Sequence, residues 1–223
     1  MEDKLMKIVK KIIAVIFILI IGVCAYYTKI GYKMYRDALN IMSIEDKVQE
    51  IKSIENYVEF SELPQEYINA VIAVEDHRYY EHGAIDILSI VRAINNDIKA
   101  RRLVEGGSTI TQQLAKNIYF TQERKLERKI AEVFMAYELE RNLSKDEIFE
   151  LYVNTNYFGE GYYGIGAAAK GYYNKDVSEL NSYECTMLAG IPNAPSVYAP
   201  TVNPELAERR RQVVVQTMAQ YGY

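Results

Sequence analysis

A mainly α fold hung from one N-terminal transmembrane helix is what this sequence predicts. Three features carry that expectation: an unbroken apolar run from Ile12 to Tyr27, apolar residues recurring at helical spacing through most of the remaining chain, and no stretch whose alternation argues for a β-sheet. With 223 residues, 49% of them hydrophobic, the chain has room for one sizeable core plus a short appendage. The expected division is a tail and anchor over 1–30, a connector over 31–57 and one globular domain over 58–223.

The anchor comes first in the chain. Ile8, Val9 and Ile30 extend the apolar run toward spanning length, Lys4, Lys7, Lys10 and Lys11 precede it, and Tyr26 and Tyr27 suit the far interface. By the positive-inside tendency the N-terminus is cytoplasmic and the rest of the chain lies outside. A cleaved signal peptide would want small residues in an A-x-A arrangement, and a lipoprotein site at Cys24 meets a bulky Val23. Residues 31–60 read as a short helical stalk.

Beyond the stalk, Pro64 suits a first helical turn, and Ile68, Val71, Ile72 and Glu75 fall on one stripe, so the Glu75 carboxylate continues a buried face. Asp86 caps a second helix with Ile87, Val91, Ile94 and Ile98 on its inner side, and Gly106 and Gly107 open a turn. A further helix runs through Thr111 to Tyr119. The next, from about Glu123 to Asn142, is expected to bury Leu126, Ile130, Val133, Phe134 and Tyr137, leaving Arg124, Arg128 and Glu132 in line on the opposite face. Ser144 with Glu147 makes a capping box. Glycines at 159, 161, 164 and 166 mark an irregular loop before another helix, and Asn203-Pro204 starts a final helix that ends near Gly222.

Bulk properties narrow the function. A formal net charge of -4 supplies no basic face, so nucleic acid is not an expected partner. Cys24 and Cys185, the only cysteines, are too far apart in character to staple the fold. The glycine-rich run lacks the order of a phosphate-binding loop, and His77 and His82, the only histidines, form no metal-ligand pattern, so no metal-ligating residue is expected.

Five blocks carry the chemistry: EDHRYYEH over 75–82, GGSTITQQLAKN over 106–117, RKIAE over 128–132, LYVNTNYFGEGYYGIGAAAKGYY over 151–173 and LAGIPNAPSVYAP over 188–200. In this order and spacing they resemble the peptidoglycan glycosyltransferase family, the domain of bifunctional penicillin-binding proteins and of monofunctional transglycosylases. The resemblance covers nearly all of 58–220. It implies a two-lobed helical fold, partly lysozyme-like, and an inverting transfer that polymerises lipid II into β-1,4-linked glycan with release of undecaprenyl pyrophosphate. By the same resemblance Glu75 matches the family's catalytic base and Glu132 its second carboxylate. Asp76 and His82 match the first motif, Thr109, Gln113 and Lys116 the second, and Arg128 the third, while Ser108, Asn117, Arg124 and Tyr157 match positions of the substrate cleft. A divalent cation, Mg or Mn, at the donor pyrophosphate is the one cofactor the reading leaves open. Expected partners are lipid II and the growing lipid-linked glycan, the bilayer and other cell-wall synthesis proteins; the expected place is the cell membrane, with the catalytic domain extracytoplasmic. Two departures stand out, Tyr79 where the family usually has Phe and Ala84 where a glycine often follows the histidine by two. No serine is followed three residues later by lysine, so a monofunctional enzyme without penicillin-reactive serine is expected.

The chemistry of the residues themselves points in the same direction. An inverting transfer needs a base on one face of the sugar and leaving-group stabilisation on the other. Burial and a helix C-terminus both raise the proton affinity of Glu75, and Lys116 and Arg124 suit a departing pyrophosphate. Taken singly, each feature has a plainer reading: a solvated helix-end carboxylate, a surface salt-bridge ladder at Arg124, Arg128 and Glu132, a satisfied loop histidine, core tyrosines. Two rival functions stay open here, a lysozyme-like glycan hydrolase, which would need no pyrophosphate site, and an inactive membrane scaffold.

Overall fold

The computed structural model describes residues 2–100, 106–121 and 125–223. Its chain is mainly α, as expected, with no strand among the described residues and one isolated bridge between Tyr157 and Tyr163. Helix α1 (Glu2–Ile41) passes through the end of the apolar run without a break. Within it Val9–Ile41 is long and apolar enough to cross a membrane, and side chains such as Phe17 and Ile18 have no protein against them. Its last turns are braced on the domain. A Cβ on Gly31 would fall 2.6 Å from Ile130 Cγ2, so only glycine admits this approach. Tyr32 and Tyr35 pack on Phe134 with ring centroids 5.2 and 5.9 Å apart, and the Tyr35 hydroxyl donates to Glu138 at 3.0 Å.

A short α2 (Ile44–Lys52), capped by Ser43, leads to α3 (Gln65–Glu75), with Pro64 one place before the helix. Ile68, Val71 and Ile72 are buried, as the stripe predicts. The next helices in the chain are α4 (Ile87–Ala100), α5 (Ile110–Tyr119), α6 (Leu126–Asn142), α7 (Lys145–Thr155) and α8 (Ile165–Tyr173). Then come α9 (Ser182–Gly190), α10 (Pro195–Tyr198) and α11 (Pro204–Tyr221). Helix α3 packs against α9 and α11, while α5 packs against α6 and α7. Reciprocal capping boxes start α5 at Thr109 and Gln112 and α7 at Ser144 and Glu147. Between α7 and α8 the chain needs glycine at 164, where φ is +84° and a Cβ would lie 2.8 Å from the Asn154 carbonyl oxygen.

Two faces differ from the sequence expectation. In α6 the buried residues are Ala131, Glu132, Met135, Ala136 and Leu139, while Ile130, Val133 and Phe134 are half-buried and Leu126 and Tyr137 exposed. The cause is that α6 is covered on two sides: small alanines let α5 and α7 close on one, and the apolar stripe receives α1 on the other. The line through Arg128 and Glu132 is therefore inside the protein. In α4 the Asp86 cap forms, with Ser89 N donating to it at 3.1 Å, yet Ile87, Val91 and Ile98 are more than half exposed and Ala93 carries the contact. The Ile94 side chain lies outside the described residues.

Candidate active site

Helix α3 ends on Glu75, at the wall of a polar cavity of about 470 Å³ that Asp76, His77, Ser108, Thr109 and Arg210 also line. Gln113 Nε2 donates to Glu75 Oε2 at 2.8 Å, and the Tyr152 hydroxyl, at 3.4 Å from Gln113 Oε1, fixes which end of the amide faces the acid. Burial raises the Glu75 pKa; the Gln113 hydrogen bond, Arg210 and Lys116 oppose it without cancelling it. A carboxylate with raised proton affinity at the mouth of a cavity is suited to accepting a proton.

Positive charge gathers on α5 and α6, beyond the Ser108 edge of the cavity. Glu132, 2% exposed, forms an ion pair with Arg128, and Lys129 Nζ lies 3.2 Å from its other oxygen. Lys129 also donates to Ser108 Oγ at 2.6 Å, which ties α6 to the Gly106-Gly107-Ser108 turn. Burial, with the charges of Arg128 and Lys116, brings the Lys129 ammonium down to about 8. Burial lowers Lys116 as well, and Arg128 adds to that shift. Like charges held together in a partly desolvated cluster favour the arrival of an anion.

Asp76 and His82 are engaged with each other. His82 Nε2 meets Asp76 Oδ1 at 2.7 Å, its Nδ1 meets the Gly83 carbonyl at 2.6 Å, and Asp76 Oδ2 accepts from Ile110 N at 3.0 Å. Burial alone would lower the His82 pKa, but the Asp76 hydrogen bond and charge outweigh it and raise it. Two acceptors, one on each ring nitrogen, suit the imidazolium. Thr109 accepts from Gln112 N and donates to the Ala84 carbonyl at 2.8 Å, so its hydroxyl holds the turn that positions α5.

With that geometry in view, comparison with known proteins is informative: the Transglycosylase family model matches residues 44–219. The chain belongs to that family. It is 49% identical over 166 residues to penicillin-binding protein 1F of Bacillus subtilis, covering 74% of this chain and 23% of that protein. It is 47% identical over 167 residues to penicillin-binding protein 1A of Aquifex aeolicus, covering 75% and 23%. To penicillin-binding protein 1A of Neisseria cinerea it is 39% identical over 230 residues, covering 94% and 29%. The chain thus spans between a fifth and a third of the length of these relatives.

The transglycosylase motifs therefore divide in space. Glu75, Gln113 and Lys116 face one another across α3 and α5, Ser108, Arg128 and Glu132 gather around Lys129, Asp76 and His82 pair with each other, and Thr109 holds the turn at Ala84. Asn117 donates to Asn156 at 2.8 Å, and next to it Tyr157 lies against the exposed Tyr163 with ring centroids 4.8 Å apart. Arg124 lies outside the described residues.

Spacing alone missed one grouping: Asp76, His82 and Asp86 bring three ligand atoms within 4.8 Å of one another, an arrangement able to hold a metal ion. Its ligand atoms are already engaged. Arg78 makes a two-pronged pair with Asp86, Ser89 donates to it from both N and Oγ, and Asp76 is held by His82 and Ile110. A divalent ion would have to displace Arg78 and the shared His82 proton, so these residues fit a structural hub better than a cation site. Two further residues were missed by sequence reasoning. Lys129 stood inside the block over 128–132, and its central place was signalled only by that block. Arg210 stood in a run of three arginines with nothing to mark it.

Proposed function

We propose that this chain is a peptidoglycan glycosyltransferase that joins lipid II units into β-1,4-linked glycan by inverting transfer, releasing undecaprenyl pyrophosphate. The observation that carries this reading is the pairing of a half-buried base, Glu75, with a cluster of partly buried cations, Lys116, Arg128 and Lys129, on helices α5 and α6. Glu75 takes the proton from the acceptor sugar hydroxyl as that oxygen bonds to the donor's anomeric carbon. The bond from that carbon to the pyrophosphate breaks on the opposite face, and Lys116 and Lys129 receive the departing charge. Glu132 stays ionised between Arg128 and Lys129 and fixes where those cations point. Ser108, Asn117 and Tyr157 line the path of the glycan, and Arg124 contributes to the pyrophosphate site. None of these steps requires the Asp76, His82 and Asp86 group.

On this reading residues 1–30 are tail and anchor, 31–57 connect, and 58–223 form the catalytic domain on the extracytoplasmic side. A hydrolase needs no cation cluster, which disfavours the lysozyme-like alternative. The test is to supply purified lipid-linked disaccharide-pentapeptide in detergent and follow polymer and released polyprenyl pyrophosphate. Cleavage of finished glycan without polymer formation would establish the hydrolase, and no turnover on either substrate the scaffold.

A further inference from the structure

Three consecutive arginines, 209 to 211, sit on α11, and they do not share a fate. Arg209 lies 3.9 Å from Glu205 on the outer surface of the helix, and Arg211 pairs with Glu208 at 2.7 Å while lying over the Tyr183 ring at 4.5 Å. Arg210 turns inward. Its Nε donates to the Gly190 carbonyl at 3.2 Å at the end of α9, and its guanidinium carbon lies 6.0 Å from the Tyr198 ring centroid. A Cβ on Gly190 would fall 3.0 Å from Arg210 Cγ, so the glycine is what lets the arginine stem lie across α9. Anchored there, Arg210 lines the same cavity as Glu75, and among the described residues no carboxylate lies within ion-pair distance of it.

We propose that Arg210 is a positioning residue of the transfer site: from the C-terminal helix it supplies the fixed positive charge that keeps the Glu75 carboxylate ionised and available as the base. The groups facing Glu75 are its neighbour Asp76 and Tyr67 on α3, Gln113 and Lys116 on α5, Tyr152 on α7 and Arg210 on α11. His77 joins them in the cavity wall. Gln113 and the tyrosines bring no positive charge, and Asp76 works against ionisation. Of the two cations, Lys116 is half-buried, and both desolvation and Arg128 weaken its charge, whereas a guanidinium stays charged throughout the working range. Arg210 therefore stabilises the ionised base at every pH at which the enzyme operates. Losing it leaves burial less opposed, and Glu75 holds its proton to higher pH.

The proposal rests on the reading of Glu75 as the base, and the experiment separates the two. Full-length chain in detergent, with Arg210→Gln and Arg210→Lys beside it, is assayed for polymerisation from pH 5 to 9. In parallel the Glu75 carboxyl is titrated by infrared difference spectroscopy, its band assigned by its loss in Glu75→Gln. Arg210→Gln is expected to move both the acid limb and the carboxyl titration up by about one pH unit, the lower end for removing an opposite charge near a carboxylate. Turnover at the acid end then falls about tenfold and recovers at high pH, and Arg210→Lys restores most of the shift. An unmoved carboxyl titration in Arg210→Gln overturns the proposal, as does an equal displacement in both variants. If Arg210→Gln does not fold, Arg210→Met, which keeps the stem and removes the charge, should move the titration in the same direction, and no movement there also overturns it. Wild-type chain that makes no polymer refutes the transfer reading, and the infrared titration then decides the role of Arg210 by itself.

Discussion

Glu75 and Glu132 are both motif carboxylates, and their surroundings differ. Glu75 has one amide donor and is buried in a way that favours its protonated form, while Glu132 sits between two cations. Glu75→Gln keeps the shape and most hydrogen bonding but cannot take a proton, so polymerisation should fall at least about a hundredfold with precursor binding retained. Glu132→Gln should instead weaken binding, because Arg128 and Lys129 lose the anion that aims them; equilibrium binding of precursor to both folded variants separates the cases. Lys129 gives a pH prediction with a definite sign. Its charge is present below about 8 and lost above, so donor use should decline as pH rises through that value. In Lys129→Ala that alkaline decline should disappear and turnover drop by on the order of 3 kcal/mol in barrier, the usual loss for one preorganised donor. An alkaline limb that survives in Lys129→Ala assigns the decline to another group. Glu75 was legible in the sequence because an apolar stripe and a motif coincided on it. Lys129 and Arg210 were not, since a charge in a charged run does not say which way it turns, and the neighbours that decide are far away in the chain.

At the scale of the element, stripes and caps were readable where neighbours bury the apolar face itself, and α6, covered on two opposite sides, was not. The α3 stripe, the α7 capping box and the end of α11 at Gly222 lie where the sequence puts them. In α6 the apolar face was real, but it is the face that meets α1, and the alanines opposite it meet the core. Periodicity locates an apolar stripe and cannot count the partners on both sides. The contact at Gly31 is a result of this double cover: Gly31→Leu should destabilise the domain by about 1 to 3 kcal/mol through overpacking against Ile130, seen as a lower denaturant midpoint. The hub joining α3 to α5 has its own signature. With the His82 pKa raised in the fold above an unfolded value of about 6.5, the stabilisation from its protonation is fully present below that value and lost as pH rises through the folded one. Asp76→Asn should cost roughly 3 kcal/mol at pH 6, as expected when a buried pair loses one partner, and less at pH 9. A penalty independent of pH would mean that the Ile110 hydrogen bond, not the charge on His82, dominates.

For the molecule as a whole, α1 both carries the span and forms part of the domain's wall, and the two roles separate by length. Cutting after residue 30 removes most of the apolar span but leaves Gly31, Tyr32 and Tyr35 to cover Ile130 and Phe134, whereas cutting after residue 41 strips that cover away. On the proposed function the substrate is lipid-linked and confined to the bilayer, so the expected effect of the anchor is to raise the local concentration of enzyme at the same surface, a gain that needs no contact with the chemistry. Deletion of 1–30 should therefore lower turnover on vesicle-borne precursor by about tenfold or more, while turnover of a soluble short-chain precursor stays within about twofold of the intact chain. Deletion of 1–41 should add a loss of stability, since it exposes the half-buried apolar stripe of α6 and frees Glu138 from the Tyr35 hydroxyl. Comparing the two truncations on both substrates, with thermal unfolding alongside, distinguishes localisation from support of the fold. Equal losses on vesicle-borne and soluble precursor after the shorter cut would show that α1 acts on the transfer site itself, through its packing on the helix that carries Arg128, Lys129 and Glu132.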